Sequence, residues 1–264
     1  MSKIDPQIIW SKIFSLAKQK DESEYVMCLL RIRGAESAGW DTLYESAFLR
    51  NDIVSLASIP LRGETQIRLI LLLYAHILEM KDAYSVMGNM LRIARGDRYS
   101  MALFSQEFFA HLKIKWESKY KTPKGKIELI SSWASELGLG DVSAMFDSFF
   151  DEDVRNAFAH SNYTLHEGSF HVVRRKNGFP FKIDITKDLV PKINHAIVFM
   201  DSFLNTLQQS QRSYAEPKIL PSRFSPIEGI ELDVRPDVGV VGFHSPPKNG
   251  PCISYKGSSN EFKP

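Results

Sequence analysis

The run Ile67-Arg68-Leu69-Ile70-Leu71-Leu72-Leu73-Tyr74-Ala75-His76-Ile77-Leu78 constrains this chain more than any other segment. Its residues are apolar on every side of a helix, so it has to be surrounded rather than laid on a surface. It is too short to cross a bilayer, which takes about 20 apolar residues. That leaves the centre of a helical bundle. The helix begins near Glu64 and continues past Glu79. Val86, Met87, Met90, Leu91 and Ala94 extend the helical spacing to a stop at Gly96. Periodicity leaves open whether this is one long helix or two with a break near Lys81.

Other helical stripes flank it. Ile9, Ile13, Leu16 and Ala17 form one, Tyr25 to Ile32 a second that ends at Gly34, and Asp41 to about Arg50 a weaker third. Residues 96–121 are rich in aromatics and read as a loop and a short helix covering the bundle. Thr122-Pro123 has the form of an N-cap with proline at the first helical position. The helix it opens carries Ile127, Ile130, Ala134 and Leu137, and Val142, Met145, Phe146 and Phe149 mark the next. Asp151 can cap a further helix. The period then changes. Tyr163 to His166 and Phe170 to Val173 flank Glu167-Gly168, a hairpin signal, and Phe181 to Ile185 suits a third strand. Leu189, Ile193, Ala196, Met200, Phe203 and Leu207 mark a long amphipathic helix.

Beyond Tyr214 the composition shifts. Pro217, Pro221, Pro226, Pro236, Pro246, Pro247, Pro251 and Pro264 exclude a helix. Yet Ile219, Leu220, Phe224, Ile227, Ile230, Leu232, Val238, Val240, Val241 and Phe243 are too apolar for a free linker. A hairpin across Pro236-Asp237 and docking on the bundle or on a second copy are expected. The fold class is therefore mainly α: a helical bundle with a small β-hairpin or sheet before its last long helix, and an irregular proline-rich C-terminal appendage. The expected divisions are a helical segment at 1–60 packed on the bundle, the bundle itself at 61–212, and the partly β appendage at 213–264.

With 264 residues and a net charge of +2, the chain lacks the charge excess of a protein that coats nucleic acid, so any RNA contact has to be local. Cys28 and Cys252 are far apart and form no C-x-x-C pair, which suits a reduced cytoplasmic protein. The first residues lack the apolar core of a signal peptide. There is no Walker loop, no H-E-x-x-H and no G-x-S-x-G.

Chemistry concentrates in Asp153-Val154-Arg155-Asn156-Ala157-Phe158-Ala159-His160-Ser161. A cation, a polar side chain and a titratable imidazole within six positions can share one phosphate. Asn156 and His160, four apart, share a helix face. Arg155 lies about 140° from His160 around the helix. Plainer readings stand beside this one: Arg155 paired with Asp151 or Glu152, and His160 bonded to a backbone carbonyl. Tyr74, His76 and Glu79 on the apolar helix can line the same cleft, with Glu79 orienting an imidazole, or His76 and Glu79 can form a core polar pair. His160, His166 and His171 match no standard metal spacing, so no metal is assigned. Arg174, Arg175 and Lys176 form a basic patch suited to RNA. Lys119, Lys121, Lys124 and Lys126 read as solvated loop residues.

The stretch Arg155-Asn156-Ala157-Phe158-Ala159-His160 resembles the motif of the HEPN superfamily (higher eukaryotes and prokaryotes nucleotide-binding): arginine, a polar residue, three or more residues, then histidine. The segments Leu73 to Met80 and Asn89 to Tyr99 are similar to the long upstream helix of a bacterial group in that superfamily, as are the hairpin and helix that follow His160. The resemblance covers about residues 60–208. It implies a metal-independent, cofactor-free endoribonuclease acting on single-stranded RNA, in a toxin–antitoxin or defence system. It also implies a homodimer that builds its site from both copies, and a cognate antitoxin as partner. Arg155, Asn156 and His160 would carry catalysis. The alternative is a member of the same fold that binds a nucleotide, RNA or a protein without cutting.

Overall fold

A computed structural model of the chain describes residues 5–33, 40–61, 63–111, 115, 117–172, 180–223 and 225–246. The helices are α1 (Pro6–Lys20), α2 (Glu22–Leu29), α3 (Thr42–Ala57), α4 (Glu64–Glu79), α5 (Lys81–Arg95), α6 (Gln106–His111), α7 (Pro123–Glu136), α8 (Asp141–Asp147), α9 (Glu152–Ala159) and α10 (Val190–Arg212). Side-chain caps explain many of the starts. Asp5, Asp21, Asp41, Thr122 and Asp151 each accept an N–H from the first turn. Gly96, at φ +96°, ends α5 in the left-handed conformation that glycine tolerates.

The long apolar stretch divides at Met80, whose backbone leaves the helical region. Its first half is not the centre. α4 packs sideways on α3, α9 and α10, and Leu72 remains 43% exposed. The centre is α5, which packs on α1, α2 and α7 and is buried without interruption from Val86 to Ile93. α5 reads as the more polar helix, but its polar groups are satisfied. Asn89 Nδ2 donates to the carbonyls of Ser85 and Ser100, each at 3.0 Å, and its Oδ1 accepts the Ser100 N–H at 2.9 Å. Arg92 donates to the Arg98 carbonyl at 2.9 Å and lies over the Phe108 ring. Burial of polar groups is tolerated when each finds a partner. Around the centre, Trp10 meets Phe199 and Phe203 edge-on at 5.5 Å, and Phe149 meets Phe199 at 4.8 Å.

Strands β1 (Tyr163–His166), β2 (Ser169–Val172) and β3 (Phe181–Asp184) form an antiparallel sheet in that order. Glu167 and Gly168, at φ +46° and +72°, make its two-residue turn. A wide helical turn, Ile185–Leu189, leads from β3 into α10.

The C-terminal segment is regular where an irregular appendage was expected. β4 (Ile219–Ser222), β5 (Ser225–Arg235) and β6 (Gly239–His244) form a second antiparallel sheet. The prolines sit where the ladder loses little: Pro221 at a register shift on the edge strand, Pro226 near the start of β5, Pro236 in the turn. Leu220, Ile230, Leu232 and Val240 are buried, and the sheet touches α2 and α10. Phe224, the side chain of Ile227 and everything from Pro247 onward lie outside the described residues. Glu22 accepts from the Tyr214 hydroxyl at 2.9 Å and from the Lys218 ammonium at 2.8 Å. Burial raises the Glu22 carboxyl, but these contacts outweigh it and hold its pKa below the ordinary 4.5. Gly239, at φ +87°, lies so close to α10 that a β-carbon would stand 1.8 Å from the Gln211 carbonyl oxygen.

Truncation after Tyr214 is expected to lower the melting temperature. The gap between full-length and truncated protein narrows below pH 4.5, because a lowered carboxyl pKa contributes stability that fades as it protonates. Gly239→Ala should destabilise by about 1–3 kcal/mol in denaturant titrations, from overpacking alone. A truncated protein that melts at the full-length temperature would show that the sheet adds nothing to the fold.

Candidate functional site

Eight residues make too short a helix to persist alone, so α9 depends on what holds it. Val154 and Ala157 bury one face, and α9 packs on α4 and β2. Asp151 accepts the Val154 N–H at 3.1 Å and pairs with Lys192 of α10. Tyr74 of α4 donates its hydroxyl to the Phe149 carbonyl at 2.6 Å and accepts the Asp151 N–H at 3.0 Å. Burial pushes the Tyr74 phenol well above its ordinary pKa, so it stays a neutral hydroxyl.

At the other end, His160 donates its N–H to the Asn156 carbonyl at 3.0 Å, and Asn162 donates to Ala157 at 2.8 Å. Ser161 between them has φ +55°. The left-handed conformation costs a non-glycine residue about 1–2 kcal/mol. It turns the chain sharply into β1 and leaves His160 exposed at the corner. Strain of this kind clusters at functional sites.

Arg155 leans toward α4. Its Nε donates to Glu79 Oε1 at 2.6 Å, its Nη2 donates to the same oxygen, and its Nη1 donates to Asn156 Oδ1 at 2.6 Å. Among the described residues three of the five guanidinium N–H groups find a partner, which leaves one on each Nη. No hydrogen bond among the described residues reaches the His160 imidazole.

Several expectations change here. At about 100° per helical step, Tyr74 lies on the far side of α4 from both His76 and Glu79, which are about 60° apart. Tyr74 supports the start of α9. His76 turns to α3, with Nε2 2.7 Å from the Ser46 carbonyl oxygen. Glu79 therefore orients a guanidinium rather than an imidazole, and the His76–Glu79 pair is not formed. The alternative partners of Arg155 are engaged elsewhere: Asp151 by Lys192 and Glu152 by Lys124. Arg174, Arg175 and Lys176 lie outside the described residues. His166 and His171 stand on neighbouring strands with ring centres 6.3 Å apart. Among the described residues no three His, Cys, Asp or Glu side chains are grouped to hold a metal, and no helix is long and apolar enough to cross a membrane.

Lys126 was missed. It belongs to α7, not to a solvated loop, and is 5% exposed with its ammonium over the Tyr84 ring at 5.8 Å. The available signal was its place on the stripe of Ile130, Trp133 and Ala134.

Comparison of the chain with family models, with curated proteins and with solved structures finds no match. The site is read from its geometry.

Tyr74→Phe deletes one hydroxyl and strands two backbone groups. A loss of about 1–3 kcal/mol is expected in denaturant titrations. Faster amide exchange in α9 than in α5 should accompany it. Unchanged exchange in α9 would show that the hydroxyl does not hold the helix.

Proposed function

We propose that the chain is a metal-independent endoribonuclease of HEPN type, working by internal transesterification of single-stranded RNA. The observation that supports this best is one short, capped helix that carries an oriented guanidinium and ends at an exposed imidazole. Two free N–H groups on Arg155 can receive two oxygens of a phosphodiester and stabilise charge as the phosphorane forms. Asn156 and Glu79 keep the guanidinium from swinging. His160 takes the proton from the 2′-hydroxyl, the 2′-oxygen attacks phosphorus, and the P–O5′ bond breaks. The products are a 2′,3′-cyclic phosphate and a 5′-hydroxyl end, which takes up a proton from a general acid. One copy supplies a single imidazole, so a two-fold dimer that brings a second His160 to the cleft provides that acid. A defence or toxin–antitoxin role, with a small antitoxin as partner, goes with this reading.

One observation favours a second reading. Glu79 offsets the charge of Arg155, which suits a member of the fold that binds RNA, a nucleotide or a protein without cutting it.

Purified protein should cut single-stranded RNA in EDTA and leave cyclic phosphate or 3′-phosphate ends. His160→Ala and Arg155→Ala should each lower the rate by about 10²–10⁴-fold with the circular dichroism spectrum unchanged. RNA that binds but stays intact selects the second reading. Cleavage that needs added metal, or that survives His160→Ala, excludes the mechanism.

A further inference from the structure

Helix α3 is apolar on two faces and covered on one. Leu43 and Ile53 are buried, while Leu49 and Leu56 stand exposed on the outer side. Among the described residues, eight of the fourteen exposed large apolar side chains fall between Trp40 and Leu72. Single exposed apolar residues need no explanation, but a contiguous group marks an interaction surface. The seam between α3 and α4 makes this group contiguous. His76 of α4 meets the Ser46 carbonyl oxygen of α3 at 2.7 Å. Leu49 is three residues from Ser46, and Leu72 four from His76, so each lies beside that contact on its own helix. Both are exposed, which puts them on the solvent side of the seam. Leu56 continues the row along α3, and Ile59 and Leu61 stand exposed in the turn at its end. From Ser46 to the end of α3 at Ala57 the groove is about three helical turns long.

One rim of the groove is acidic. Glu45 stands four residues before Leu49, and Asp52 four before Leu56, so the carboxylates form a second row beside the leucines. Both are exposed, and neither is in an ion pair among the described residues. Arg68, on the α4 side, is paired with Glu64. The two rows share an interval of seven residues, the spacing of helix-on-helix contact. We propose that the α3–α4 groove docks an amphipathic helix of a partner protein, with apolar residues on the leucine row and lysine or arginine residues against Glu45 and Asp52. Helix-in-groove binding places apolar anchors at i, i+3 or i+4, and i+7. A second copy of the chain fits poorly, because a two-fold contact through this face brings the acidic rims together. An anionic membrane surface is repelled by the same carboxylates. The surface does not rest on cleavage at His160.

The test is fluorescence anisotropy of full-length protein with labelled peptides of about 18 residues, five helical turns. The first peptide carries a leucine row flanked by lysines, the second has glutamates in place of the lysines, and the third is the first scrambled. The lysine peptide should bind at micromolar concentration, the glutamate peptide at least tenfold more weakly, and the scrambled peptide not at all. Leu56→Ser combined with Leu72→Ser should weaken the lysine peptide at least tenfold. Glu45→Lys combined with Asp52→Lys should turn the preference toward the glutamate peptide. Where the leucine variant melts early, the charge variant, which alters only exposed side chains, decides. Equal binding of the lysine peptide and its scrambled form is non-specific attraction and overturns the proposal. So does absence of binding at high micromolar concentration, or a preference that the charge variant leaves unchanged. Sedimentation showing a dimer that the leucine substitutions dissolve identifies a second copy as the occupant and overturns it as well.

Discussion

One hydroxyl ties the candidate site to the fold. Tyr74 sits in α4 with its phenol buried, donating to the Phe149 carbonyl and accepting from the Asp151 N–H. A phenol can do both at once, which neither a carbonyl nor an ammonium can. The two bonds fix the corner between α8 and α9. With Asp151 fixed, its carboxylate caps α9, and one turn later Arg155 points at Glu79, which is on the same helix as Tyr74. The direction of the guanidinium is thus set from both sides by α4.

The charges around Arg155 are balanced locally. Three consecutive acids, Asp151, Glu152 and Asp153, precede Arg155 and by themselves would repel phosphate. Asp151 is held by Lys192 and Glu152 by Lys124, so much of that repulsion is cancelled. The Arg155–Glu79 pair is partly exposed, at 23% and 46%, and exposed pairs contribute about 0–1 kcal/mol to stability. Its consequence is orientation. Both bonds to Glu79 fall on one oxygen, which leaves the outer N–H groups of the guanidinium turned from the pair.

Local features were legible in the sequence, and long-range ones were not. Asp151, Thr122-Pro123, Glu167-Gly168 and Gly96 each announce a start, turn or stop through backbone chemistry confined to a few residues, and each does so in the fold. The central helix was misjudged because burial is decided by partners: Asn89 and Arg92 make α5 look polar, and the Ser100 and Arg98 groups that satisfy them lie in the next segment. The Arg155–Glu79 pair spans 76 positions, a separation at which spacing carries no signal. The C-terminal sheet was half visible. Its prolines ruled out helix and its apolar residues required burial, but the pairing of β4 with β5 depends on a register shift at Pro221 that no period records.

That sheet reaches further than its own contacts. Arg223 follows β4 and pairs with Glu24 of α2 at 3.2 Å. The other oxygen of Glu24 accepts the N–H of Tyr99 at 2.7 Å, and Arg223 also donates to the Tyr99 carbonyl at 3.5 Å. Tyr99 begins the segment that follows α5, and its hydroxyl donates to the Ile32 carbonyl at 2.7 Å. Glu24 is 4% exposed, so its carboxylate needs both partners. A change at β4 that withdraws Arg223 leaves a buried carboxylate short of its cation and loosens the backbone at Tyr99. The C-terminal sheet therefore positions the segment that follows α5 as well as covering apolar surface. Its closeness to α10 at Gly239 carries that constraint back into the bundle.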